Sequence, residues 1–182
     1  MIYQLKDCRT GEKAVYKTTV EITEKEDILT FRFTAENCQF YCPYPFFNGI
    51  HTEGDAFEII IGSDPNKKCY YELEISPLGD VMQCEMHYHG RDEEGEPILD
   101  WDLLSPPFAV GKAEKTENGY IAEISFDKKN ISKAGEEIYF NVFRTETDGG
   151  EMEKHLFALN PTMMGKFHII EKYLPLKDYV NK

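Results

Sequence analysis

Apolar and polar residues alternate with a period of two through most of this chain. Leu29, Phe31 and Phe33 are spaced by Thr30 and Arg32, and Phe57, Ile59 and Ile61 share a face opposite Glu58 and Ile60. In 69–75, Tyr71, Leu73 and Ile75 oppose Tyr70, Glu72 and Glu74. Ile121, Glu123 and Ser125 stand against Ala122, Ile124 and Phe126, and Ile138, Phe140 and Val142 against Tyr139, Asn141 and Phe143. Successive side chains of an extended strand leave on opposite faces, so this pattern predicts strands with one face in a core. The expected strands span 13–23, 28–36, 55–64, 69–75, 81–90, 120–127 and 137–146.

Gly, Pro, Asn and Asp punctuate these runs at intervals typical of a sandwich or barrel. After Ile75, for example, the chain reads Ser-Pro-Leu-Gly-Asp, where proline removes a donor and glycine allows positive φ. Only 127–135 looks like a helical turn. The charged, glycine-punctuated segment 90–102 is expected to be an exposed loop, and 157–176 to pack back over the body of the fold. The prediction is one all-β domain over 1–182, a two-sheet antiparallel β-sandwich, jelly-roll-like, with little helix.

The chain's 182 residues, 41% hydrophobic and 13% aromatic, suffice for one such core. A formal net charge of −13 argues against nucleic acid and anionic membrane surfaces as partners. No run is long enough to span a bilayer, and no signal peptide is visible at the start. Five cysteines without paired spacings suggest reduced thiols in a cytoplasmic protein, Cys38 and Cys42 being the pair best able to meet across a turn. The oligomeric state is left open.

Glu58 and Glu72 fall on the same face of neighbouring strands. Carboxylates suit carbohydrate because their oxygens accept charge-assisted hydrogen bonds from vicinal hydroxyls. They equally suit a solvated strand face, or a glycosidase acid/base pair. Tyr41, Tyr44, Phe46 and Phe47 crowd a proline-punctuated loop beside His51, a place for rings that stack on a sugar or for a plug over the sandwich end. Arg144, preceded by Phe143, could orient a ligand or lock Glu58 or Glu146 internally. Asp55, Asp64 and Asp80 sit near turns and offer hard oxygens, which makes calcium the candidate metal. Cys84, His87 and His89 invite a zinc reading, although Cys84 should point to the opposite strand face.

The ordered set "EGDAFEIIIGSD", "YYELEISPLGDV", "GYIAEISFD", "FNVFRTE", "FALNPT" and "GKFHIIEKYLPL" resembles the family 9 carbohydrate-binding modules and their DOMON-like relatives. It runs from about Tyr16 to Leu176. The resemblance implies a β-sandwich, usually non-catalytic, that binds a sugar or oligosaccharide between aromatic rings and often holds structural calcium. It implies sugar contact at Glu58 and a stacking ring at Phe157. Where some sugar-binding members carry an upstream tryptophan, this chain has His51 and Thr52; its single tryptophan, Trp101, lies mid-chain in a stretch that tends to serve the fold. The expected ligand set is Glu58, Glu72, Phe157, Arg144, Phe47, His51 and Phe143. A hydrolase, and an interaction module with a decayed sugar site, remain as alternatives.

Overall fold

The computed structural model describes residues 1–37, 39–43, 48, 54–150 and 154–180. Thirteen strands follow in chain order: β1 (Ile2–Gln4), β2 (Lys6–Asp7), β3 (Thr18–Lys25), β4 (Ile28–Glu36), β5 (Ala56–Gly62), β6 (Cys69–Ile75), β7 (Val81–Arg91), β8 (Pro97–Leu103), β9 (Val110–Lys115), β10 (Gly119–Asp127), β11 (Tyr139–Glu146), β12 (His155–Ala158) and β13 (Leu174–Pro175). They form two antiparallel sheets. A five-stranded sheet has the order β1-β3-β4-β10-β9, and an eight-stranded sheet the order β2-β12-β11-β5-β6-β7-β8, with β13 added alongside β11. The described helices are single 3-10 turns, and none is long and apolar enough to cross a membrane.

The alternation places the core. Phe31, Phe33, Tyr120, Ile124 and Phe126 point inward from the smaller sheet, and Phe57, Ile59, Leu73, Phe140 and Val142 from the larger. Phe33 and Phe57 stack across the layer with ring centroids 4.2 Å apart. Local turns agree with the register. Lys25 pairs with Ile28 across a two-residue loop whose residues, Glu26 and Asp27, both have positive φ (52° and 68°), the backbone that matches the strand twist. The β6–β7 turn needs Gly79 at φ 92°, where a Cβ would meet the backbone nitrogen of Ala113 at 3.0 Å.

The larger sheet is apolar on its other face too. Ile60, Tyr70, Met82, Cys84, Met86 and Phe143 form a second cluster there. The segment after β12 packs over it as expected, with Phe167 stacked on Phe143 at 4.2 Å. The expectation of an exposed loop over 90–102 is corrected: the chain turns at Asp92–Gly95 and returns as β8 along β7. Leu99, Trp101 and Leu103 alternate there with Asp100 and Asp102, but the charges concealed an edge strand, where polar residues are common. The first long strand begins at Thr18, not residue 13.

Candidate functional site

Glu58 stands directly opposite Glu74, and Glu72 lies two residues away on β6. All three leave the outer face of the larger sheet, the face turned away from the inter-sheet core. All three are buried, and carboxylate oxygens from the three lie within 4.8 Å of one another. Thr145 Oγ1 donates to Glu58 Oε1 at 3.2 Å. His168, carried back by the C-terminal segment, places Nδ1 2.9 Å from the Tyr70 hydroxyl and Nε2 3.4 Å from Glu72 Oε2. Cross-strand register continues the face outward: Glu72 opposite Cys84, Cys84 opposite Leu103, and Met86 opposite Trp101. Trp101 is 48% exposed at the edge, two strand spacings, or about 10 Å, from Tyr70.

Crowding acidic groups at a buried sheet centre changes the protonation of Glu58. Burial, and then the neighbouring Glu72 carboxylate, push the Glu58 carboxyl well above its usual range, against the hydrogen bond from Thr145 and the charge of Lys154. Burial lowers His168, with the Glu72 charge opposing it. An acid with a raised folded-state pKa binds its proton more tightly in the folded state. Its stabilising contribution is therefore complete below the unfolded value of about 4.3 and is lost as pH rises through the folded value. Glu58→Gln, neutral throughout, should melt higher than wild type at neutral pH, with the advantage shrinking toward pH ~4. Thermal melts of both proteins across that range check this; a parallel offset at every pH would contradict it.

The expected ligand residues separate on the two faces of the sheet. Glu58 and Glu72 do come together. Phe157 is a correction: it is 0% exposed and lies in the inter-sheet core, below the His155 ring and 5.6 Å from the Arg144 guanidinium. It pairs with Arg144 across the β11–β12 register, so both point inward. Arg144 is also a structural group. It is fully buried, donates to Thr18 Oγ1 at 2.8 Å and to the Glu36 carbonyl at 3.0 Å, and pairs with Glu146. Phe143 does lie on the outer face, but Phe167 covers it. Phe47 and His51 lie outside the described residues.

Three residues of this face are absent from the expected ligand set: Glu74, His168 and Trp101. Glu74 was already aligned with Glu72 by the period of two. Trp101 was legible in the alternation of 97–103. His168 reaches the site through a non-repetitive segment, and no periodicity in the sequence could place it.

The three aspartates do not converge on one site. Asp64 and Asp80 lie beyond opposite ends of the seven-residue β6, a separation of about 20 Å. Asp64 accepts from the backbone of Asn66, Lys68 and Cys69, while Asp55 accepts from Thr147 and from the Tyr41 backbone. The Asp64 and Asp55 carboxylates are turn and loop clamps. The zinc reading also changes. Cys84 is buried on the outer face, His89 pairs with Asp100 at 2.9 Å, and His87 faces Cys69 instead. Cys8, Cys69 and Cys84 are free thiols; Cys38, half of the pair best placed to meet, lies outside the described residues.

No family model matches this chain, and no curated protein sequence matches it. The fold does have solved counterparts. A candidate carbohydrate-binding protein from Bacteroides uniformis superimposes with a TM-score of 0.71 at 10% identity, over 95% of this chain and 84% of that one. A family 9 carbohydrate-binding module from Caldicellulosiruptor kristjanssonii, solved with cellotriose, superimposes with a TM-score of 0.50 at 12% identity, over 87% of this chain and 71% of that one. The architecture is that of the family 9 modules.

Proposed function

We propose that this chain is a non-catalytic carbohydrate-binding domain whose ligand lies on the outer face of the larger sheet. The observation that carries the reading is the convergence of Glu58, Glu72 and Glu74 on a face edged by an exposed tryptophan. The carboxylates would accept hydrogen bonds from sugar hydroxyls, and the Trp101 ring would stack on the C–H face of a pyranose. Trp101 lies two strands from Glu72, about 10 Å across the sheet, a span that suits an oligosaccharide better than a single sugar ring. The cellotriose bound by the similarly folded family 9 module, and the carbohydrate-binding description of the Bacteroides uniformis protein, add support at the level of fold.

A hydrolytic role fits the geometry less well. A raised glutamate is what a general acid needs. Retaining glycosidases, however, hold their two carboxyls about 5–5.5 Å apart across the scissile bond, and inverting ones still farther. Here the three glutamates are buried and leave neighbouring positions on one face of a single sheet, so they do not stand on opposite sides of an open cleft as an acid and a nucleophile or base do.

The reading is tested by calorimetric titration with a panel of mono- and oligosaccharides. Trp101→Ala should weaken the best ligand by roughly tenfold, the loss of one stacked ring at about 1–1.5 kcal/mol. Glu72→Gln should weaken it as well, because a charge-assisted acceptor becomes a neutral one. Both variants should keep a wild-type melting profile to within a few degrees. Wild-type affinity in both variants would place the ligand elsewhere.

A further inference from the structure

A second group of donor atoms lies on the opposite face of the same sheet. Cys69 stands directly across from His87, and Glu85, two residues before His87, shares its face. The Cys69 sulfur, a Glu85 oxygen and a His87 ring nitrogen lie within 4.8 Å of one another. Each residue is partly buried, just beyond the point where Tyr71 packs edge-on against Phe108. The thiol donates to Glu85 Oε1 at 3.1 Å, so a proton occupies the space between two of the donors.

The surroundings favour a cation. The β7–β8 register puts Asp100 opposite His87 and Asp102 opposite Glu85, while Asp64 holds the Cys69 backbone N–H at 3.1 Å. The charges of Glu85 and Asp64 both act on the Cys69 sulfur. Cys69 and Asp64 also line an open cavity of about 380 Å³, shared with Glu136, Lys129 and Lys133, which gives an ion a route from solvent.

We propose that Cys69, Glu85 and His87 form a zinc site with a fourth position open to water. One thiolate, one imidazole and one carboxylate form a mixed donor set that suits zinc; calcium and magnesium take oxygen ligands and would leave the sulfur unused. Bonds of about 2.0–2.3 Å place the donors of a tetrahedral site roughly 3.3–3.8 Å apart. Small side-chain rotations bring the present cluster to that spacing. As the zinc–sulfur bond forms, the thiol proton leaves to solvent: Zn²⁺ plus protein–SH gives protein–S–Zn⁺ plus H⁺. The site is separate from the carboxylate face, since Glu72 and Glu74 leave the other side of β6.

The test uses the reduced, chelator-stripped full chain titrated with zinc chloride against a chromophoric chelator, with cobalt(II) as a spectroscopic substitute. Wild type should bind one equivalent, its melting temperature should rise with zinc, and cobalt should give a thiolate charge-transfer band. Cys69→Ser should abolish that band. Cys69→Ser and His87→Ala should each weaken zinc binding at least about tenfold, the lower end of what even an outer-shell change costs, while Cys84→Ser should bind as wild type. Melting curves without metal establish that the variants fold, and Glu85→Gln replaces any that does not. Weak, unsaturable binding by wild type would overturn the proposal, as would stoichiometric binding that survives loss of both Cys69 and His87.

Discussion

Phe157→Ala should cost the protein about 3–5 kcal/mol of stability, the usual toll for truncating a buried phenylalanine. For a domain of this size that corresponds to a fall in melting temperature of roughly 6–20 °C. The ring has no exposed surface and packs in the inter-sheet core between the His155 ring and the Arg144 guanidinium. Truncation leaves a cavity and removes an aromatic ring near the buried arginine, beside which Phe57 and Tyr120 also lie. Sugar affinity, measured below the melting transition, should remain that of wild type. Thermal melts decide the matter: an unchanged melting temperature combined with lost sugar binding would return Phe157 to the role of an exposed stacking platform.

Glu146→Ala should be similarly severe, about 3–5 kcal/mol, because it strands a buried guanidinium. Arg144 and Glu146 sit two residues apart on the inner face of β11, and both are completely buried. The arginine reaches across the layer to Thr18 in β3 and to the Glu36 carbonyl at the end of β4. Glu146 is held in turn by Asn37 and by the Asp148 backbone. The pair therefore ties the end of β11 to the smaller sheet. Removing both charges, as Arg144→Leu with Glu146→Leu, should cost much less than the sum of the single changes, since neither member of the pair is left without the other. Denaturant titration of the four proteins measures that coupling; strict additivity would contradict the strap.

Phe157 and Arg144 also mark how far a strand pattern can be read. The period of two in 28–36, 55–64 and 137–146 was enough to predict strands and, through them, a two-sheet sandwich. It also put Glu58 and Glu72 on one face, because each lies opposite the aromatic and aliphatic row of its own strand, Phe57, Ile59 and Ile61 in one and Tyr71, Leu73 and Ile75 in the other. Parity does not reveal which face meets the other sheet. Both faces of β5, β6 and β11 are buried in this protein, one by the smaller sheet and the apolar part of the other by the returning C-terminal segment. An aromatic such as Phe157 or Phe143 then looks the same whether it faces a ligand or a core. Long-range register was beyond reach as well. Cys69 meets His87, and Glu72 meets His168, only because hairpin lengths and the final loop bring them together. Trp101 is a different case, since Leu99, Trp101 and Leu103 do alternate, yet the surrounding acids made the segment resemble a loop.

The most direct test of a sugar site on the outer face uses the chain's single tryptophan. Emission from Trp101 reports on that face alone, with no second indole to confuse the signal. Titration with the oligosaccharide that binds best by calorimetry should shift the emission with the same dissociation constant, and Glu72→Gln should move both curves together to weaker binding. A sugar that binds by calorimetry while Trp101 emission stays constant, or a full panel of sugars with no binding at all, would contradict a carbohydrate site built on Glu58, Glu72, Glu74 and Trp101.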